Sequence, residues 1–136
     1  MFTGVEDITR WKRAEEELRE SETRRHAFSE NSPSPIFLKD LQGRYLSVNQ
    51  EFERALRVTE QQIKGKKDDE VFPGQAAAFE ANDWQVLGAG VPMEFEEVAL
   101  QEDGPHTSIV RKFPLFNAEG TIHAIGGIVT DITERK

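Results

Sequence analysis

The 136-residue sequence has no cysteine, so it offers no disulfide, no thiolate nucleophile and no thiolate metal ligand. Such a chain suits a reducing cytoplasm, although its parent protein can be anchored to a membrane elsewhere. No apolar run approaches the roughly 20 residues that a membrane-spanning helix needs, and the N-terminus lacks the apolar stretch of a signal peptide. Positive charge is in deficit, with 17 Lys and Arg against 25 Asp and Glu, for a net charge of −8. That balance argues against nucleic acid or anionic lipid as a direct partner. The length allows one domain with a real core plus an appendage, and is short for two ordinary domains.

What is present is organised around the last stretch. Gly126-Gly127-Ile128-Val129-Thr130 is apolar and β-branched, and it runs into Asp131-Ile132-Thr133 and then charge, which reads as a buried strand feeding a helix start. The chain opens on the same signal: Val5-Glu6-Asp7-Ile8-Thr9-Arg10-Trp11-Lys12 matches Val129 to Lys136 at Val, Asp, Ile, Thr and Lys. The repetition implies that the segment runs from the exit of one module to the exit of the next, in a parent with tandem copies. Residues 1–30 are accordingly the tail of a preceding module plus a connector, and 31–136 the domain.

From Thr9 to about Glu30 there is no Gly or Pro, and Glu, Arg and Ala dominate, which predicts a helix. Trp11, Ala14, Leu18, Ser21, Arg25 and Phe28 recur at steps of three and four, an imperfect heptad seam expected to pair two copies into a homodimer. Asn31-Ser32-Pro33-Ser34-Pro35 breaks that helix. Two short apolar runs, Pro35 to Lys39 and Arg44 to Val48, flank Asp40-Leu41-Gln42-Gly43, a hairpin signal. Asn49 is placed to cap a short helix that buries Phe52 and Leu56. Thr59 and Gln62 form a capping box, Asp68 to Phe72 makes another turn, and Gln75 to Leu87 a longer helix with Ala76, Phe79, Asp83 and Val86 or Leu87 on one face. Strands are expected at Met93 to Leu100, Thr107 to Leu115 and Thr121 to Thr130. The order predicts an α+β fold, one antiparallel sheet with its helices mainly on one face.

Several pieces then acquire a common meaning. Asp40-x-x-Gly43-Arg44-Tyr45-Leu46-x-Val48-Asn49, Ile63-x-Gly65-Lys66, Ala81-Asn82-Asp83-x-x-Val86-Leu87-x-x-Gly90-x-Pro92, Lys112-x-Pro114-Leu115 and Gly127-Ile128-x-x-Asp131-Ile132-Thr133 occur in this order over roughly Phe28 to Lys136. Together they resemble a PAS domain, the sensor module of bacterial signalling proteins, with an inter-PAS connector helix before it. The resemblance implies a five-stranded sheet in the order 2-1-5-4-3, and a cleft between sheet and long helix. It also implies that the terminal strand hands a conformational bias to Asp131, Ile132 and Thr133. Asp131 itself reads as a helix cap, with Glu134 at capping-box spacing and Ile132 packing against the sheet edge.

The cleft candidates are Ile36, Leu38, Phe52, Leu56, Phe79, Phe95 and Ile128 as apolar lining, with Asn82, Asp83 and Arg111 as polar groups. Asp83 and Arg111 are expected either to hold a ligand or to pair with each other, since a buried charge without a partner is costly. Flavin-binding and photoactive-yellow relatives use a cysteine, which this chain lacks, so a covalent flavin or chromophore is excluded; haem-binding relatives place a histidine on the long helix, where Phe79, Asn82, Asp83 and Trp84 stand instead. His26, His106 and His123 form no pair with metal-ligand spacing and are expected in surface or packing roles. The resulting expectation is a non-catalytic sensor and dimerisation module of a signalling protein, such as a histidine kinase or diguanylate cyclase. Its partners would be the neighbouring PAS and output domains, and it would work through its flanking helices. The alternative is a small-molecule receptor for an acid, with Arg111 as counter-ion.

Overall fold

The computed structural model describes residues 12–16, 32–101 and 103–133. The chain divides into two units, Met1–Asn31 and Ser32–Lys136. In the first, residues 12–16 are helical and exposed, including Ala14; Trp11, Leu18 and Phe28 of the expected seam lie outside the described residues.

The second unit opens with β1 (Ile36–Asp40) and β2 (Tyr45–Val48). Their turn closes because Asp40 Oδ1 accepts from the backbone N–H groups of Gln42 and Arg44, both at 2.9 Å, and Gly43 takes the φ of 83° that other residues avoid. Asn49 then caps α1 (Gln50–Leu56): its Oδ1 accepts from Phe52 N at 3.0 Å and also from Ile36 N at 2.9 Å, tying the helix start to β1. The Thr59 capping box opens α2 (Glu60–Ile63), with Thr59 and Gln62 exchanging both bonds. Next come α3 (Asp68–Val71) and α4 (Ala76–Ala89), which Gly90 ends in the left-handed conformation. Ala76, Phe79, Asp83 and Val86 are the buried stripe of α4.

The remaining strands are β3 (Met93–Gln101), β4 (Gly104–Phe116) and β5 (Ile122–Asp131). All pairings are antiparallel and the sheet order is β2-β1-β5-β4-β3, as the resemblance implied. The last strand is thus the central one. Side chains alternate across the sheet, so Phe37, Lys39, Val110, Lys112 and Val129 face the helices, and Ile36, Leu38, Arg111 and Ile128 face away. Phe37, Tyr45, Phe52, Phe72 and Phe79 form a chain of edge-to-face and tilted ring contacts with centroids 5.8–6.5 Å apart, which joins sheet and helices. No helix among the described residues is long and apolar enough to cross a membrane.

Candidate functional site

Between the inner sheet face and helices α1 and α4 lies a cavity of about 260 Å³. Phe37, Phe52, Leu56, Phe72, Phe79 and Val129 give it apolar walls, and Lys39, Lys112, Glu97 and Ser108 give it one polar wall. The two lysines are 1% exposed, which is tolerable only because each ammonium is surrounded by acceptors. Lys39 Nζ donates to Asp68 and, at 3.0 Å, to Asp83, and sits 5.2 and 5.0 Å from the ring centroids of Phe37 and Tyr45. Lys112 Nζ donates to Glu97 at 2.6 Å, to Asp83 at 2.7 Å and to the Phe79 carbonyl at 3.3 Å. Tyr45 Oη donates to the other Asp68 oxygen at 2.6 Å, and Asn82 to Glu97 at 2.9 Å. Burial opposes the charge on Lys39, but the attraction of Asp68 and Asp83 raises its pKa overall; burial first, then Asp68, pushes Tyr45 well above the usual phenol value.

The residues anticipated for the cleft are divided by strand parity. Phe52, Leu56 and Phe79 line the cavity. Phe95 lies on the same sheet face, half-buried, with Lys112 Nζ 5.9 Å from its ring centroid. Asn82 and Asp83 stand behind the cavity, in the charge network. Ile36, Leu38 and Ile128 are on the opposite face of the sheet, and so is Arg111, whose side chain is 54% exposed with Glu94 at 3.6 Å. The partner of Asp83 is therefore not Arg111 but the lysine pair, because Lys39 and Lys112 occupy the positions one residue away that point inward. The sequence reading does not name Lys39, Asp68, Glu97 and Lys112 as members of this network, nor Ser108 beside Glu97 in the cavity lining. The network's visible trace was a lysine two positions beyond a core residue in each of β1 and β4, Phe37 and Val110.

A second cluster holds the exit of the domain. Asp131 lines the cavity, and its Oδ1 accepts from Thr133 N at 2.8 Å and Thr133 Oγ1 at 2.6 Å, while the helix it is expected to cap lies outside the described residues. Thr133 Oγ1 accepts from Thr107 N at 3.1 Å and Ile132 N donates to the Thr107 carbonyl at 2.9 Å, so the junction is stitched to β4. The other Asp131 oxygen bonds His106 Nδ1, while His106 Nε2 bonds Asp103 Oδ1 at 2.7 Å. Hydrogen bonds to Asp131 and Asp103 raise the His106 pKa. Burial pushes Asp131 up, but the bonds from Thr133 and His106 outweigh it and hold the carboxyl at about 2. His106 is expected in a surface or packing role, and nothing local announces its partner 25 positions away. His123 is exposed, and His26 lies outside the described residues. Glu134, the other half of the anticipated capping box, does too. Among the described residues no group of three or more His, Asp or Glu side chains is placed to hold a metal ion.

Residues 29–136 match the family described as the PAS fold. Over 123 residues, 89% of the chain, the sequence is 31% identical to the methanogenesis regulatory histidine kinase FilI of Methanothrix harundinacea strain 6Ac, and spans 14% of the length of that protein. The PAS domain of a protein from Colwellia psychrerythraea superposes with a TM-score of 0.72 at 20% identity, covering 83% of this chain and 98% of that one. A VqmA–ligand–DNA complex from Vibrio cholerae superposes equally well, with a TM-score of 0.72 at 21% identity, over 81% of this chain and 50% of that one. The last likeness corrects one expectation. Acidity argues against nucleic acid as a direct partner, yet this fold occurs within a protein solved on DNA, so the charge of one domain does not decide what the protein containing it binds; DNA binding by this chain does not follow either.

Proposed function

The chain belongs to the PAS family, and from that premise we propose that residues 32–136 sense the state of the inner cavity and pass it through β5 to the Asp131-Ile132-Thr133 junction. The parent is then a signalling protein whose output, a histidine kinase or a diguanylate cyclase, receives the bias through the flanking helices. One observation carries this reading: Asp131 is at once a lining residue of the cavity and the group that holds Thr133 and, through His106, bonds to β4. A change in the cavity would reach Thr133 through the Asp131 side chain, and a connection with two arrangements can turn it into a change of chain direction. The kinase relative supports the choice of output, since it carries a similar segment within a far longer chain.

The experiment is hydrogen–deuterium exchange on the wild-type chain and on Ala55→Leu, which fills the cavity beside Leu56. The amide of Ile132, bonded to Thr107, is expected to change its exchange rate by about tenfold, the scale of a coupling near 1.4 kcal/mol, while amides in the β1–β2 turn stay unchanged. Equal exchange at Ile132 in both chains would remove the relay.

A receptor reading is favoured by the cavity itself. Its form as a carboxylate site with Arg111 as counter-ion is not retained, because that guanidinium lies on the outer sheet face.

A further inference from the structure

We infer that the cavity takes a small molecule with an apolar body of single-ring size and a cationic, hydrogen-bond-donating nitrogen, an amine or amidine, seated on Glu97 and Ser108. This deepens the sensor reading and rests on it for its biological meaning, though not for its test.

The charge balance of the polar wall comes first. Two ammonium groups, Lys39 and Lys112, face three carboxylates, Asp68, Asp83 and Glu97, so one negative charge is left over among side chains that are 9% exposed or less. Uncompensated buried charge is costly, and a bound cation removes that cost. The hydrogen-bond inventory points the same way. The three N–H donors of Lys112 are matched by Asp83, Glu97 and the Phe79 carbonyl, and Lys39 is held by two carboxylates and two aromatic faces. An entering acid would find both cations already engaged. An entering amine would find acceptors: Glu97 spends Oε2 on Lys112 and Asn82, and among the described residues neither Glu97 Oε1 nor Ser108 Oγ has a hydrogen-bond partner.

Those two groups form one spot. Glu97 and Ser108 are direct partners in the β3–β4 register and share the inner face, with the Glu97 side chain 8% exposed and Ser108 7% exposed. Glu51 and Asp131 also line the cavity, but Arg54 and His106 already pair with them, which leaves Glu97 as the acceptor for an entering cation. Phe52, Phe72 and Phe79 in the lining give an apolar body its contacts, and a volume of about 260 Å³ admits a single-ring compound rather than a large cofactor.

The test is protein-observed nuclear magnetic resonance of the 136-residue chain at neutral pH, titrated with benzylamine, benzyl alcohol and benzoate at millimolar concentrations. These probes share a body and differ in the end group. Benzylamine is expected to shift amides around Glu97 and Ser108 and to bind at least about tenfold more tightly than benzoate. Glu97→Gln, with folding checked by circular dichroism, is expected to abolish that preference, and Ser108→Ala, which keeps every charge, to weaken benzylamine alone. The inference is overturned if benzoate binds as tightly as benzylamine, if the preference survives in Glu97→Gln, or if none of the three shifts the cavity amides. Binding is read at the cavity, so amine binding that leaves Ile132 exchange untouched would sink the relay and spare this inference, and the opposite outcome is equally readable.

Discussion

His106 shows how a single side chain can tie distant parts of a domain. It joins Asp103, in the β3–β4 turn, to Asp131, at the end of the central strand, and these are the described charged groups that face it. Both bonds favour the imidazolium, so its folded pKa lies above the ordinary 6.5. The contribution to stability is therefore full below that value and is lost as pH rises through the folded pKa. Asp131 behaves oppositely: depressed from 3.8 to about 2, it stabilises above 3.8 and loses its contribution as pH falls toward 2. The clamp is complete between those two ordinary values, 3.8 and 6.5. Melting curves of wild type and His106→Gln should lie furthest apart in that window and converge at alkaline pH; curves that stay parallel would show that the ion pair contributes nothing. None of this is legible locally, because an i to i+25 contact is created by strand register, whereas Asn49 and Phe52, which form the α1 cap, are near neighbours in the sequence.

Among the elements, β5 is the most constrained, and its two glycines show why. A Cβ on Gly127 would stand 2.2 Å from the Phe37 ring, and one on Gly126 would stand 2.6 Å from Phe113 on the other face. Central strand and neighbours thus approach so closely that each ring lies across bare backbone. Gly127→Ala should destabilise the domain by about 1–3 kcal/mol through overpacking. In urea denaturation Phe37→Leu, itself destabilising, should restore part of that loss in the double variant; strict additivity would mean that the ring is not the obstacle. The strand existed plainly in the sequence as an apolar β-branched run. Its facing did not. A slip of one residue moves a whole set of side chains to the other face, which is why Ile36, Leu38, Arg111 and Ile128 were anticipated in the cleft and Phe37, Lys39, Lys112 and Val129 occupy the inner side.

Across the whole molecule the buried charges tie the helix layer to the sheet, since Asp68 and Asp83 come from α3 and α4 while Lys39, Glu97 and Lys112 come from β1, β3 and β4. The excess of carboxylates decides which loss matters more. Lys112→Met leaves one ammonium facing three carboxylates and should cost about 3–5 kcal/mol. Asp83→Asn leaves each lysine a carboxylate and should cost less than half of that. Chemical denaturation of the two variants gives the ranking, and Asp83→Asn as the costlier change would show that the wall carries no surplus of negative charge.

By itself the sequence determined the elements of residues 32–133, their order, the caps at Asn49 and Thr59, and the family, because these depend on residues within a few positions of each other. Only the tertiary structure decided which face of each strand became the interior, which lysines were drawn inside, and that His106 would meet Asp131. Those outcomes come from register and from the need to neutralise every buried charge, and both are settled only when segments far apart in the chain are packed together.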